Sequence, residues 1–332
     1  MAIINGTELN DILTALNVDI NGIGDEIYGL GGNDTITGFL GSDKLFGGTG
    51  RDTIYGMDGH DTMDGGAGND RLLGGNGNDG MVGGAGDDYL NGELGYDAVD
   101  YRGVTGTRGV TVDLRITKAQ NTKASGYDTI VNVEQVWGSN LNDTITGSNG
   151  DNDLYGFNGS DIINGAGGND NIFGGFGETT GNTLSGGDGN DSILASSGAD
   201  TLRGDAGNDR LTGSLGTDRL TGGTGADRFV FDNLADSTVA AADTITDFNG
   251  AEDLIMLAPL QFTASQTFIG SAAFSATGAA ELRVTTAAGV QTLQVDANGD
   301  GTADMAIKVI GTALAADDFI YSPFGGLGGF GI

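Results

Sequence analysis

The sequence predicts an all-β protein: two tandem parallel β-rolls, joined by a short β insert and closed by a β-rich C-terminal capping domain. Three observations carry this expectation. Glycine and aspartate recur every nine residues over two long stretches. One position in each nine-residue unit is always apolar. The ruler fails at residues 101–137 and after 230, where alternating runs such as "GVTVDLRIT" and "DTIVNVEQVW" read as strands. The expected division is 1–28 (N-terminal cap and degenerate repeats), 29–100 (first roll), 101–137 (joining insert), 138–230 (second roll) and 231–332 (cap and tail).

Composition narrows the function classes. The 332 residues include 64 Gly, 2 Pro and no Cys, and 46 acidic against 14 basic residues give a net charge of −32. Without cysteine no disulfide framework holds the fold. The acidity disfavours nucleic acid and anionic membranes and favours cations. The start, "MAIINGTELNDILTALN", lacks the basic and apolar regions of a cleaved signal peptide, and no window is long enough for a transmembrane segment.

The first array contains eight units, with Gly at positions one (Gly29 to Gly92) and four (Gly32 to Gly95). Position six is Asp34, Asp43, Asp52, Asp61, Asp70, Asp79, Asp88 and Asp97, and position eight runs from Ile36 to Val99. Weaker units surround Asp11 and Asp25. The second array contains ten units, whose position six is Asp143, Asn152, Asp161, Asp170, Asn182, Asp191, Asp200, Asp209, Asp218 and Asp227. Its position eight runs from Ile145 to Phe229. The array has an insertion around Glu178–Thr180, Ala195 in place of one first Gly, and Leu141 in place of one fourth Gly.

Each unit divides into a glycine-rich turn and a short strand that sends one side chain inward. Two units make an 18-residue coil, and coils stack about 4.8 Å apart. Aspartates 18 residues apart therefore lie one above another in columns, where unpaired carboxylates would repel. A hard divalent cation held between rungs by carboxylates and turn carbonyls resolves this, and the flexible oxygen set favours Ca²⁺ over Mg²⁺. Roughly six sites in the first array and eight in the second follow, about a dozen or more ions against the charge of −32. The sites flanking Asn152, Asn182 and the insertion are expected to be weak or missing.

"GGTGRDTIY", "GGAGNDRLL", "GGDGNDSIL" and "GGTGADRFV" match G-G-x-G-x-D-x-U-x at every defined position. The chain thereby resembles the RTX (hemolysin-type) calcium-binding repeat proteins, which implies parallel β-rolls with Ca²⁺ at position six. The segment "FDNLADSTVAAADTITDFNGAEDLIMLAPL" resembles the C-terminal region of serralysin-type proteases and of alginate-epimerase R modules, where it covers the end of the roll. The tail "ADDFIYSPFGGLGGFGI" resembles an uncleaved signal for type I export machinery. Together these resemblances imply an extracellular or cell-surface protein, exported without a cleaved N-terminal signal, that folds when it meets Ca²⁺ outside the cell.

Two smaller features leave alternatives open. Residues 296–304, "DANGDGTAD", have EF-hand-like D-x-N-x-D-G spacing, but their β-like flanks and Ile307 at the twelfth position suit a hairpin turn. The insert carries Arg102, Arg108, Arg115, Lys118 and Lys123, which suits a joint between rolls or a ligand-binding lid.

No catalytic residues are expected. The single histidine, His60, lies in a repeat turn, so neither an H-E-x-x-H zinc site nor a Ser-His-Asp triad can be assembled. The expected function is that of a structural surface-layer or biofilm-matrix protein, with self-assembly or a cell-surface polysaccharide as partner. The alternatives are a secreted effector, an adhesin or a carbohydrate-binding protein.

Overall fold

The computed structural model describes residues 3–15, 24–123, 125–175, 177, 179–257 and 267–320. The expected export tail lies largely outside them, at 321–332. No α-helix occurs among the described residues, hence none long and apolar enough to cross a membrane. The chain forms two compact units, residues 1–163 and 164–332.

In the first unit, successive strands alternate between two parallel sheets. Ile27, Leu45, Met63, Met81, Val99, Val136 and Leu154 lie in register on one sheet. Leu13, Ile36, Ile54, Leu72, Leu90 and Ile130 lie in register on the other. All of these except Leu13 are fully buried, so the single apolar side chain per unit forms the core between the two sheets. Each contributes roughly 1.5–3 kcal/mol by leaving water.

The insert, expected to contain two strands joining the rolls, contributes rungs to the roll itself. Tyr127–Val131 adds a parallel rung to Tyr89–Leu94, and Gln135–Trp137 lies between Ala98–Asp100 and Asp153–Tyr155. The nine-residue count is lost there, but Asp128-Thr129-Ile130 keeps the aspartate-to-apolar spacing that a rung needs. Thr111–Asp113 pairs in parallel with Thr144–Thr146, while Gln120–Asn121 turns back antiparallel on Tyr127–Asp128.

The second unit repeats the plan. Ile172, Ile193, Leu211, Phe229, Ile255 and Phe319 align on one sheet. Leu184, Leu202, Leu220, Ile245 and Val309 align on the other. The segment after the last repeat is thus first a continuation of the roll: Asp243–Phe248 and Leu254–Leu257 are further parallel rungs. It then changes to an antiparallel meander through Met305–Gly311, Val290–Asp296 and Glu281–Ala287, which covers one sheet edge.

Most turns depend on two left-handed positions in the unit. Position four has positive φ, as at Gly50 (126°) and Gly77 (131°). Position two also has positive φ, even where it is Leu30, Phe39 or Met57, which the glycine count alone does not reveal. The glycine requirement differs between positions one and four. A Cβ at Gly50 would be driven into the carbonyl oxygen of Gly32 in the preceding coil, whereas one at Gly47 would meet Asp52 Oδ2.

Candidate metal centres

The strand that follows each turn places its position-six carboxylate under the turn, where it is buried. In the first unit each carboxylate braces its neighbour: the Asp34 backbone N–H donates to Asp52 Oδ1 at 2.7 Å, Asp52 to Asp70 at 2.8 Å and Asp70 to Asp88 at 2.8 Å. The other column runs from Asp43 to Asp61, Asp79 and Asp97, each step at 2.8 Å. In the second unit Asp170, Asp191, Asp209 and Asp227 form one such column, and Asn182, Asp200 and Asp218 the other.

Only Oδ1 is used in this way. Oδ2 of Asp34, Asp52, Asp61, Asp70, Asp79, Asp88 and Asp97 is buried with no hydrogen-bond partner, as is Oδ2 of Asp200, Asp209, Asp218 and Asp227. A carboxylate oxygen taken from water without a donor is costly. Burial pushes Asp61 and Asp88 up to about 7 and Asp218 up to about 8, with the charges of neighbouring rungs adding to the rise.

These bare oxygens face carbonyls. A Cβ built on Gly47 would lie 2.5 Å from Asp52 Oδ2 and 2.6 Å from the Gly65 carbonyl oxygen of the next coil, and Gly65 repeats the pattern with Asp70 and Gly83 at 2.7 Å each. The absent side chain leaves a cradle lined by hard oxygens. Among the described residues no three His, Cys, Asp or Glu side chains converge on one point, so an ion here would take its remaining ligands from backbone carbonyls. Hard oxygen donors in a flexible turn fit Ca²⁺.

Asp43, Asp161, Asp170 and Asp191 are equally buried. Three other expected ligands have different surroundings. Both oxygens of Asp143 are engaged: the Val110 N–H and the Ser139 hydroxyl donate to Oδ1, and the Ser139 N–H to Oδ2. Asn152 accepts from the Ser148 N–H through Oδ1 and donates through Nδ2 to the Glu134 carbonyl. Asn182 donates through Nδ2 to Ser196 Oγ, beside Ala195.

The structure also adds residues to the columns. Asp88 and Asp97 donate their N–H groups to Asp128 Oδ1 and Glu134 Oε2, and Asp218 and Asp227 donate theirs to Asp243 and Asp253. "DTI" at Asp128 and Asp243 and "DLI" at Asp253 preserve the aspartate-to-apolar spacing and are the legible signal. "EQV" at Glu134 keeps the same spacing, with glutamate in place of aspartate.

The smaller features also find places. The loop after Asp296 joins two antiparallel strands, and the Asp296 carboxylate accepts the N–H groups of Gly299 and Gly301 at 2.7 and 2.8 Å, the geometry of a self-braced hairpin turn. His60 is exposed, and its Nδ1 accepts the Asn78 N–H from the next coil. Arg102 and Arg115 pair with Asp100 and Asp113.

Against known proteins, residues 132–321, more than half of the chain, match the family described as peptidase M10 serralysin C terminal. RTX calcium-binding nonapeptide repeats match in four copies, at 21–54, 37–72, 46–81 and 66–99. No curated protein matches the chain. Among solved structures, the AlgE6R3 subunit of the Azotobacter vinelandii mannuronan C5-epimerase is 23% identical over 58% of this chain and 86% of its own, with a TM-score of 0.25.

Proposed function

Because the chain belongs to the peptidase M10 serralysin C-terminal family and carries RTX repeats, which bind calcium, we propose that it is an exported protein whose rolls close only around Ca²⁺, and that it serves as a structural component of a surface layer or extracellular matrix. The observation that carries this reading is the set of buried, bare Oδ2 atoms facing glycine carbonyls. Without cations these oxygens are a desolvated stack of like charge, and one apolar side chain per unit does not offset the ordering entropy of 64 glycines. Binding energy is then folding energy. A chain of this kind stays open where calcium is scarce and folds where it is plentiful, which suits passage through an exporter. The proposed ligands are the position-six aspartates, on the order of a dozen ions in all, with Asp143, Asn152 and Asn182 as the weak positions.

One observation favours a second reading, a carbohydrate-binding protein. On the outer face of the first unit the Arg102 guanidinium stacks 4.2 Å above Trp137, with Phe157 and Tyr155 beside it, a half-exposed aromatic platform that suits a sugar ring. A calcium titration followed by circular dichroism and light scattering in one cuvette separates the two. β-signal and particle mass rising together support an assembling matrix protein. β-signal rising while the particle stays monomeric favours the binding role. A protein fully folded in chelator would refute calcium-dependent folding altogether.

A further inference from the structure

One rung of the first unit has the shape of a repeat without its chemistry. The Thr111–Asp113 strand lies in parallel register with Thr144–Thr146, with Val112 opposite Ile145. The Val110 N–H donates to Asp143 Oδ1 at 2.7 Å, the bond that position-six aspartates make to the next coil along the columns. Val110 therefore stands at position six and Val112 at position eight. Counting back, Gly106 falls at position two and has the left-handed φ of that position, 135°. Position four is then Arg108. In this rung valine replaces the carboxylate, and a cation replaces the glycine.

The turn of this rung borders a cleft. At Gly50 the glycine lies against the Gly32 carbonyl of the preceding coil. Here neither member of the corresponding pair is glycine, since Arg108 is followed by Leu141 in the next coil. A cleft of about 380 Å³ lies at this point, lined by Thr107, Arg108, Gly109, Lys123, Leu141 and Asn142. The polar side chains in it can all donate. Arg102 and Arg115 are paired with Asp100 and Asp113, whereas Arg108 and Lys123 are exposed and have no ion pair among the described residues. Asn142 Oδ1 accepts the Ser160 N–H at 3.0 Å, which leaves Nδ2 to donate. No carboxylate lines the cleft, although the chain has 46 acidic residues. Asp143, next to Asn142 in the sequence, is buried with both oxygens engaged. Two cations sharing a cleft repel each other, and an anion between them reverses the sign of that energy.

We propose that this cleft binds an oxyanion, the sulfate or carboxylate group of a molecule about the size of one sugar ring. The planar fork of Arg108 suits two oxygens of such a group, and Lys123 adds a point charge. Asn142 Nδ2 and the Thr107 hydroxyl supply further donors, and Leu141 offers the ring an apolar contact. A volume near 380 Å³ is at the small end of ligand pockets and suits one ring with its charged group. The site goes beyond the calcium reading. It lies wholly within the first unit and shares no residue with the aspartate columns or with the Trp137 platform.

Calorimetric titration of the full chain at saturating calcium tests this, with glucose 6-sulfate, glucuronate and neutral glucose as probes. The expected result is that at least one of the two anions binds, more weakly as salt is added, and that glucose does not. Arg108→Ala and Lys123→Ala should each weaken anion binding about tenfold or more, while Arg115→Ala, whose guanidinium is already paired, should leave it unchanged. The tighter of the two anions identifies the group that the cleft takes. A parent that folds with calcium but binds neither anion up to roughly 10 mM overturns the site and leaves the roll reading intact. Glucose binding as tightly as the anions, or anion binding that survives both substitutions, overturns it as well. If either variant fails to fold, amide shifts in the parent decide: changes at 107–109 and 142 on adding the bound anion support the site, and their absence overturns it.

Discussion

At position four of most units a side chain has nowhere to go. Gly50 has φ 126°, and the Cβ of an alanine would collide with the Gly32 carbonyl of the preceding coil. Gly50→Ala therefore adds left-handed strain to a backbone clash, and a loss of about 3 kcal/mol or more is expected. Gly103, in the insert, has open space where its Cβ would be, and Gly103→Ala should stay within about 0.5 kcal/mol of the parent. Urea unfolding at fixed calcium measures both, and similar midpoints for the two variants would contradict the close stacking of coils. At position one the added Cβ would meet a carboxylate as well as a carbonyl: at Gly47 it would lie 2.5 Å from Asp52 Oδ2 and 2.6 Å from the Gly65 carbonyl oxygen. There Gly47→Ala should both raise the calcium needed for folding and lower the stability of the saturated protein, as a calcium titration and urea unfolding of the variant would show.

At the scale of elements, the position-eight residues decide what belongs to the roll. Ile130 is buried in register with Leu90, although the nine-residue ruler has lapsed. Ile130→Ala should then cost about 2–5 kcal/mol, as much as Leu72→Ala in the middle of the first array. Tyr127→Ala, at a 55% exposed neighbour, should cost little, and thermal melts of the three variants test the comparison. If Ile130→Ala proved as mild as Tyr127→Ala, the insert would be a joint and not a rung. The repeat units were legible in the sequence because period, turn chemistry and apolar phase agreed in each of them. Residues 127–137 and 243–257 were not expected as rungs, since the short acidic-x-apolar signal they keep is weak without the glycine turn, which a longer connection replaces. The bare Oδ2 atoms belong to aspartates that the nine-residue count singles out. That Asp143 is closed by Ser139 and Val110 was not legible, because those donors arrive through tertiary contacts that no local spacing records.

For the whole molecule, the charge of −32 makes proton and calcium ion alternative ways to stabilise the same carboxylates. In the metal-free chain, burial and then neighbouring carboxylates hold Asp70, Asp97 and Asp227 at about 6, Asp61, Asp88, Asp209 and Asp243 at about 7, and Asp218 at about 8. An unfolded aspartate titrates near 4. The folded roll thus binds more protons than the unfolded chain between these values, and its stability falls as pH rises through that window. The contribution from these groups is fully present below about pH 4 and is lost as pH passes 6 to 8. In chelator, the β-signal in circular dichroism should therefore be stronger at pH 5 than at pH 8. Calcium added at pH 8 should restore it, while the same calcium at pH 5 should have a smaller effect, because protons must first be displaced. From the protonated folded state near pH 5, calcium binding in weakly buffered solution should accordingly release protons and lower the pH. A metal-free β-signal that grew with pH, or calcium binding without proton release, would mean that these carboxylates are not jointly buried in the metal-free fold.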